Sequence, residues 1–126
     1  IRLAAFAPAA SILLARRVGG ARAEALLVSG RVISAAEALA IGLVDEVTDG
    51  DPEERALAWL ATHVLPHSAS SLRVATKAAR RQLLVDLEQG LPDLERMYRD
   101  ELLPTDDAEE GVRAFLEKRA PSWRNR

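Results

Sequence analysis

The sequence predicts a mainly α-helical chain with one short strand, and three observations carry that expectation. Ala, Leu, Arg and Glu dominate while aromatics make up only 4% of the residues, a composition of strong helix formers. Apolar residues recur at helical spacing, as in the stripe Leu72, Ala75, Ala79, Leu83 and Leu87,. Glycine and proline then punctuate the chain at intervals that suit short helices, at Gly19-Gly20, Gly30, Gly42, Pro52, Pro66, Gly90, Pro92 and Pro104,.

Taken in order, Ile1 to Phe6 reads as the end of a strand or a loop leaving one. Pro8 sits at the first position of a helix running to Arg17, where its missing N–H is harmless. Gly19-Gly20 breaks that helix, and Ala21 to Ser29 forms a second one, with Ala25, Leu26 and Val28 as its apolar residues, stopped by Gly30. Ser34 and Glu37 form an S-x-x-E capping box opening a short Ala-rich helix to Ile41. Gly42 ends it, since positive φ suits glycine, and Val44 to Val47 reads as the one strand. Asp49-Gly50-Asp51-Pro52 is a turn followed by proline at a helix start, and it marks the clearest boundary: residues 1–50 against 51–126.

The second zone reads as helical throughout. Pro52 to Val64 carries Ala56, Leu57, Trp59, Leu60 and Val64 near helical spacing, and Pro66 ends it. Ser68 or Ser70 caps a long helix to about Leu87, with a break at Gly90 and Pro92. A further helix then runs to Pro104. Thr105 or Asp106 caps the last one, whose apolar face is Val112, Phe115 and Leu116,.

Composition narrows the function classes. With 17 basic and 19 acidic residues the net charge is −2, so no global electrostatic pull toward nucleic acid is expected. There are no cysteines, which excludes disulfides and thiolate metal sites and suits a reducing, cytoplasmic compartment. The apolar runs are too short to span a membrane, so no membrane partner is expected.

Two stretches point further. Gly30 to Val47, GRVISAAEALAIGLVDEV, combines capping box, Ala-rich turn and Gly-Leu-Val exit. It resembles the "tG-x-x-I-x-A-x-E-A-x-x-x-G-L-V-x-x-V" stretch of the enoyl-CoA hydratase/isomerase (crotonase) superfamily. Gly111 to Trp123, GVRAFLEKRAPSW, is similar to the family ending "E-G-x-x-A-F-x-E-K-R-x-P-x-F/W". The resemblance covers all 126 residues but only the C-terminal half of the family's fold. It implies the end of the crotonase α/β spiral core over residues 1–50 and the helical C-terminal oligomerisation region over 51–126. The Pro8-Ala9-Ala10-Ser11 variant, with Ala4-Ala5 before it, resembles the branch that hydrates alicyclic dienoyl-CoA esters, such as the cyclohexadiene-carbonyl-CoA hydratases.

The resemblance implies a lyase that adds water to an enoyl- or dienoyl-CoA thioester, with no cofactor, since CoA is part of the substrate. In such chemistry two backbone N–H donors stabilise negative charge on the thioester oxygen, and a pair of glutamates handles the water and the α-proton. The family's glutamates and oxyanion glycines would lie before Ile1, so no catalytic residue is assigned within these residues, and the chain by itself is expected to be inactive. Lys118 and Phe115 match the family positions that approach the CoA phosphates and line the pantetheine or adenine region. Read on its own, Lys118 is a cation complementing a helix C-terminus, and it is the resemblance that puts the CoA contact on an equal footing. The resemblance also implies a homo-oligomer, trimer or hexamer. The alternative from a different class is a non-catalytic helical self-association module.

Other constellations carry less. His63 and His67 are four apart, but Pro66 lies between them and no HExxH is present, so they read as a surface helix end and no metal is expected. Asp106, Asp107, Glu109 and Glu110 read as a helix N-terminus complementing its own dipole rather than a cation site. Arg16-Arg17 and Arg80-Arg81 read as solvated faces, and Trp59 and Trp123 as core or interface anchors,.

Overall fold

A computed structural model describes residues 3–126. The opening of the predicted Ile1–Phe6 segment lies outside the described residues; residues 3–7 form a turn and a loop. Six α-helices follow: α1 (Pro8–Val18), α2 (Gly20–Ser29), α3 (Ala35–Ala40), α4 (Pro52–His63), α5 (Ala69–Met97) and α6 (Asp106–Leu116), with a π-helical turn at Tyr98–Leu102 between the last two. The chain divides into two compact units, Ile1–Val32 with Asp86–Arg126, and Ile33–Val85.

The local signals act as their chemistry dictates. Pro8 opens α1, Gly19 closes it at φ 84°, and Gly30 closes α2 in the left-handed region at φ 59°. Ser34 accepts the Glu37 N–H at 3.1 Å, and Asp51 accepts the Glu53 N–H at 2.9 Å. Thr105, rather than Asp106, caps α6, accepting the Ala108 N–H at 3.1 Å. Ser68 stands ahead of α5, its hydroxyl 3.4 Å from the Ser71 nitrogen.

The predicted strand at Val44–Val47 is corrected: no strand is present among the described residues. A strand needs a ladder of N–H groups facing a neighbour. Here the Leu43 N–H donates back to the Ala38 carbonyl at 2.8 Å and the Gly42 N–H to that of Leu39 at 3.0 Å. These two bonds make a Schellman closure with Gly42 at φ 78°,, and the segment after it is a bend and loop.

The break expected at Gly90 and Pro92 is also corrected, because α5 runs through both to Met97. Gly90 is a contact point: a Cβ there would lie 3.2 Å from the Ile12 Cδ1, so the small residue lets α5 approach α1. Pro92 removes one N–H from the helical ladder, and α5 continues past that loss. An Arg16–Asp86 ion pair adds a second tie between these helices.

Packing is thin. In the unit built from Ile1–Val32 and Asp86–Arg126, the buried apolar residues are Val18, Ala23, Ala108 and Ala114; in Ile33–Val85 there is Ala38. α1 packs on α2, and the Phe6 and Tyr98 rings meet edge to face at 5.4 Å,. The stripes predicted for α4 and α5 are not buried: α4 and α5 have no buried residue at all. Trp59 and Trp123, expected as anchors, are 47% and 41% exposed.

Candidate functional site

α6 and the residues after it hold the geometry that bears on function. The helix is amphipathic in an unexpected sense. Its buried face is the small-residue series Ala108, Gly111 and Ala114. The face predicted to pack, Val112, Phe115 and Leu116, is open to solvent. Gly111 explains the choice of face: a Cβ there would run into the Leu3 carbonyl group. The helix therefore sits on the backbone of the N-terminal loop, where only glycine fits.

The helix ends in a second Schellman closure. The Arg119 N–H donates to the Ala114 carbonyl at 3.0 Å and the Lys118 N–H to that of Phe115 at 3.2 Å. The position that glycine usually fills is Lys118, held in the left-handed region at φ 52°. A side chain there costs about 1–2 kcal/mol of backbone energy.

Beyond that turn the chain reverses and runs back along α6. Arg119 is the hinge. Its guanidinium reaches both Glu110 oxygens at 2.5 and 2.9 Å and a Glu117 oxygen at 2.5 Å. Glu110 also accepts the Ser122 N–H at 2.8 Å. The Arg119 guanidinium, then the Ser122 N–H, hold the Glu110 carboxyl at a pKa of about 2,. Glu110 in turn raises that of Arg119, with Glu117 adding to it. Further along, the Asp107 carboxylate accepts the Arg124 and Asn125 N–H groups at 2.6 and 2.9 Å, and Asp106 pairs with Arg126 at 3.1 Å. We call residues 119–126 the strap.

The acidic cluster is thus engaged with its own chain. Asp106 and Glu110 face arginines, Asp107 takes backbone N–H groups, and Glu109 pairs with Arg113. His63 lies against Trp59 with ring centroids 5.1 Å apart, while His67 follows in the bend after α4.

The two residues singled out for CoA contact come together. Phe115 and Lys118 line one open recess of about 670 Å³ with Leu3, Gly111, Ala114, Arg119, Pro121 and Trp123. Among the described residues Lys118 makes no ion pair, whereas the adjacent Arg119 is held by two carboxylates. The recess therefore offers a mostly apolar lining, an exposed aromatic ring and one ammonium outside any ion pair. That set suits a ligand with an apolar or heteroaromatic part joined to an anionic group. Sequence reasoning takes Glu110 as a helix-start acid and Trp123 as a core or interface anchor, and it gives Pro121 no role. Their role depends on the chain reversing at Arg119, and the one signal for it was the acid–base pair nine residues apart in an otherwise helical stretch.

A sequence profile described as enoyl-CoA hydratase/isomerase matches residues 3–126. The chain is 52% identical over 126 residues to the cyclohexa-1,5-dienecarbonyl-CoA hydratase of Thauera aromatica, covering 100% of this chain and 48% of that protein. It is 36% identical over 113 residues to the 2,3-dehydroadipyl-CoA hydratase of Escherichia coli K12, covering 90% and 44%. Among solved structures it is similar to a carnitinyl-CoA dehydratase from Mycobacterium avium 104, with a TM-score of 0.83 and 31% identity over 99% of this chain and 50% of that one. The chain spans about half the length of these relatives.

Proposed function

Because the chain belongs to the enoyl-CoA hydratase/isomerase family, we propose that it forms the C-terminal part of an acyl-CoA lyase adding water to an enoyl- or dienoyl-CoA thioester. In this reading residues 1–50 end the spiral core, residues 51–126 are the helical region, and the working protein is a cytoplasmic homo-oligomer. The relative named as a cyclohexa-1,5-dienecarbonyl-CoA hydratase, 52% identical throughout, supports a cyclic dienoyl-CoA as the substrate. No separate cofactor is called for, since the thioester itself carries the CoA.

The observation that carries the role of this chain is the shared recess of Phe115 and Lys118. Lys118 contacts the phosphates of CoA and Phe115 packs on its pantetheine or adenine part. A contact to the distant nucleotide end is nearly equal in ground and transition states, so it acts on KM rather than kcat. In the full natural polypeptide, assayed with cyclohexa-1,5-diene-carbonyl-CoA, Lys118→Ala is expected to raise KM several-fold and leave kcat near its original value. The effect shrinks with added salt, because an exposed ion pair is screened. A pantetheine thioester lacking the nucleotide is affected little. Loss of kcat at unchanged KM, or equal damage with the truncated substrate, overturns the phosphate-contact role. The 126 residues alone are expected to show no turnover with either crotonyl-CoA or the cyclic diene.

A second reading, a non-catalytic self-association module, is favoured by one observation: Val112, Phe115 and Leu116 are 58%, 64% and 73% exposed on one helix, and such patches mark interaction surfaces. Light scattering on the chain at high micromolar concentration tests it. A clean monomer removes this reading.

A further inference from the structure

We propose that Glu110 is a positioning residue for the Phe115–Lys118 recess, acting by fastening the strap that forms one wall of it. This deepens the CoA-contact reading above and rests on it.

Two groups of the recess wall, Pro121 and Trp123, belong to the strap. Neither residue is in a helix, so nothing in regular secondary structure fixes their place. What fixes it is a series of attachments to α6 carboxylates, two of which flank these residues. Glu110 binds the Arg119 guanidinium with both oxygens and takes the Ser122 N–H. These contacts lie on either side of Pro121, and the second directly precedes Trp123. The Asp107 carboxylate then holds the Arg124 and Asn125 N–H groups, which lie on the far side of Trp123. The indole is thus bracketed by two carboxylates of one helix, one turn apart.

Charge is ordered by the same device. Without Glu110, the Arg119 guanidinium beside Lys118 would keep only its Glu117 ion pair, and its two terminal nitrogens, now without the bidentate partner, would compete for an anion in the recess that Arg119 also lines. With Glu110 in place, Arg119 is spent on the strap and Lys118 alone is offered to an anion. Arg fork geometry suits the carboxylate and a lysine ammonium suits a phosphate as a point charge, so the division of labour matches the chemistry of each side chain. Glu110 is well sheltered, its side chain only 16% exposed, and its carboxyl stays ionised throughout the physiological range.

Glu110→Ala removes the Arg119 contact and the Ser122 acceptor together, while Glu110→Gln keeps an acceptor for the Ser122 N–H and loses the charge. In the full natural polypeptide both are expected to speed hydrogen exchange at the Ser122, Arg124 and Asn125 amides, Ala more than Gln, with the α6 amides of Phe115 and Leu116 unchanged. KM for the CoA thioester rises in the same order, at least about fivefold for Glu110→Ala, while kcat and the KM of the pantetheine thioester hold. Simple loss of folded protein would lower the rate with both substrates alike. If the strap loosens and KM for the CoA thioester stays put, while Lys118→Ala still raises it, the positioning role is wrong and the CoA-contact reading stands. If neither Lys118→Ala nor Glu110→Ala changes KM, both fall. Unchanged exchange at Ser122 in Glu110→Ala overturns the fastening itself.

Discussion

α4 and α6 begin alike and end differently. Each opens on a side chain that accepts a backbone N–H, Asp51 in one and Thr105 in the other, and each carries acids in its first turn. Yet α6 buries three small residues, Gly111 among them against the Leu3 backbone, and is strapped by its own tail, while α4 buries nothing. Helix starts are written in a few adjacent residues. What a helix packs on is set by chain far away in sequence, and α4, with Leu57, Trp59 and Leu60 exposed, shows a helix whose apolar residues have found no cover among these residues.

The strongest way to break the contrast is Gly111→Ala. In an open helix interior alanine would gain about 1 kcal/mol over glycine. Here its Cβ would collide with the Leu3 carbonyl group, and overpacking against backbone costs about 1–3 kcal/mol. We expect a net loss of up to about 2 kcal/mol, read as a lowered denaturant midpoint. In α4 the matching change, Ala56→Gly, costs only about 1 kcal/mol, by propensity alone. A stabilised Gly111→Ala protein would mean that the close approach is not kept in solution.

The caps should be the point of likeness. Asp51→Ala and Thr105→Ala are each expected to cost about 1 kcal/mol, and a large inequality between them would show that tertiary packing reaches the helix starts too. Next in size is Lys118→Gly. Relieving a left-handed side chain gains about 1–2 kcal/mol, less the entropy glycine loses on folding, about 0.5–1 kcal/mol. The fold should gain up to about 1.5 kcal/mol on balance while KM for the CoA thioester rises. Stability and binding moving in opposite directions would identify Lys118 as a residue kept for its ammonium. The smallest effect is a titration. Glu110 has its pKa lowered from 4.5 to about 2. A group depressed in the folded state contributes stability that is fully present above its ordinary pKa and is lost as pH falls through the folded value. Carboxyl NMR should therefore show Glu110 ionised at about pH 4 and titrating near pH 2,, and Arg119→Ala should move that midpoint upward.

Much of the helical grammar is legible in the residues: Pro8 and Pro52 at the starts of α1 and α4, Gly30 and Gly42 at positive φ, Ser34 and Thr105 as caps. These are short-range effects, each governed by one residue and its nearest backbone. Val44–Val47 misleads because alternating apolar residues specify a strand only when a partner accepts the ladder, and the Ala38 carbonyl takes the Leu43 and Val44 N–H groups instead. Gly90 misleads as a breaker because its purpose is contact with Ile12, 78 residues earlier in the numbering. At the candidate site, Phe115 and Lys118 are found through likeness to a family ending, and the recess brings them together. Glu110 is invisible as a site residue, since a carboxylate inside a run of acids says nothing about the arginine that will fold back onto it.

The reversal at Arg119 has a further consequence, for proteolysis. Trypsin recognises a basic side chain on an extended backbone, and here the guanidinium is committed to Glu110, Glu117 and the Ala120 carbonyl, which it reaches at 3.1 Å. The bonds after Lys118 and Arg119 both sit in or beside the closing turn of α6, so neither can enter a protease cleft until that turn and the strap have opened together. When cleavage is slow compared with reclosing, cutting tracks the population of the open form. The rate at which trypsin clips this short tail is therefore a clock for the helix end, readable by mass without any label, and a bound anion at Lys118 should slow it.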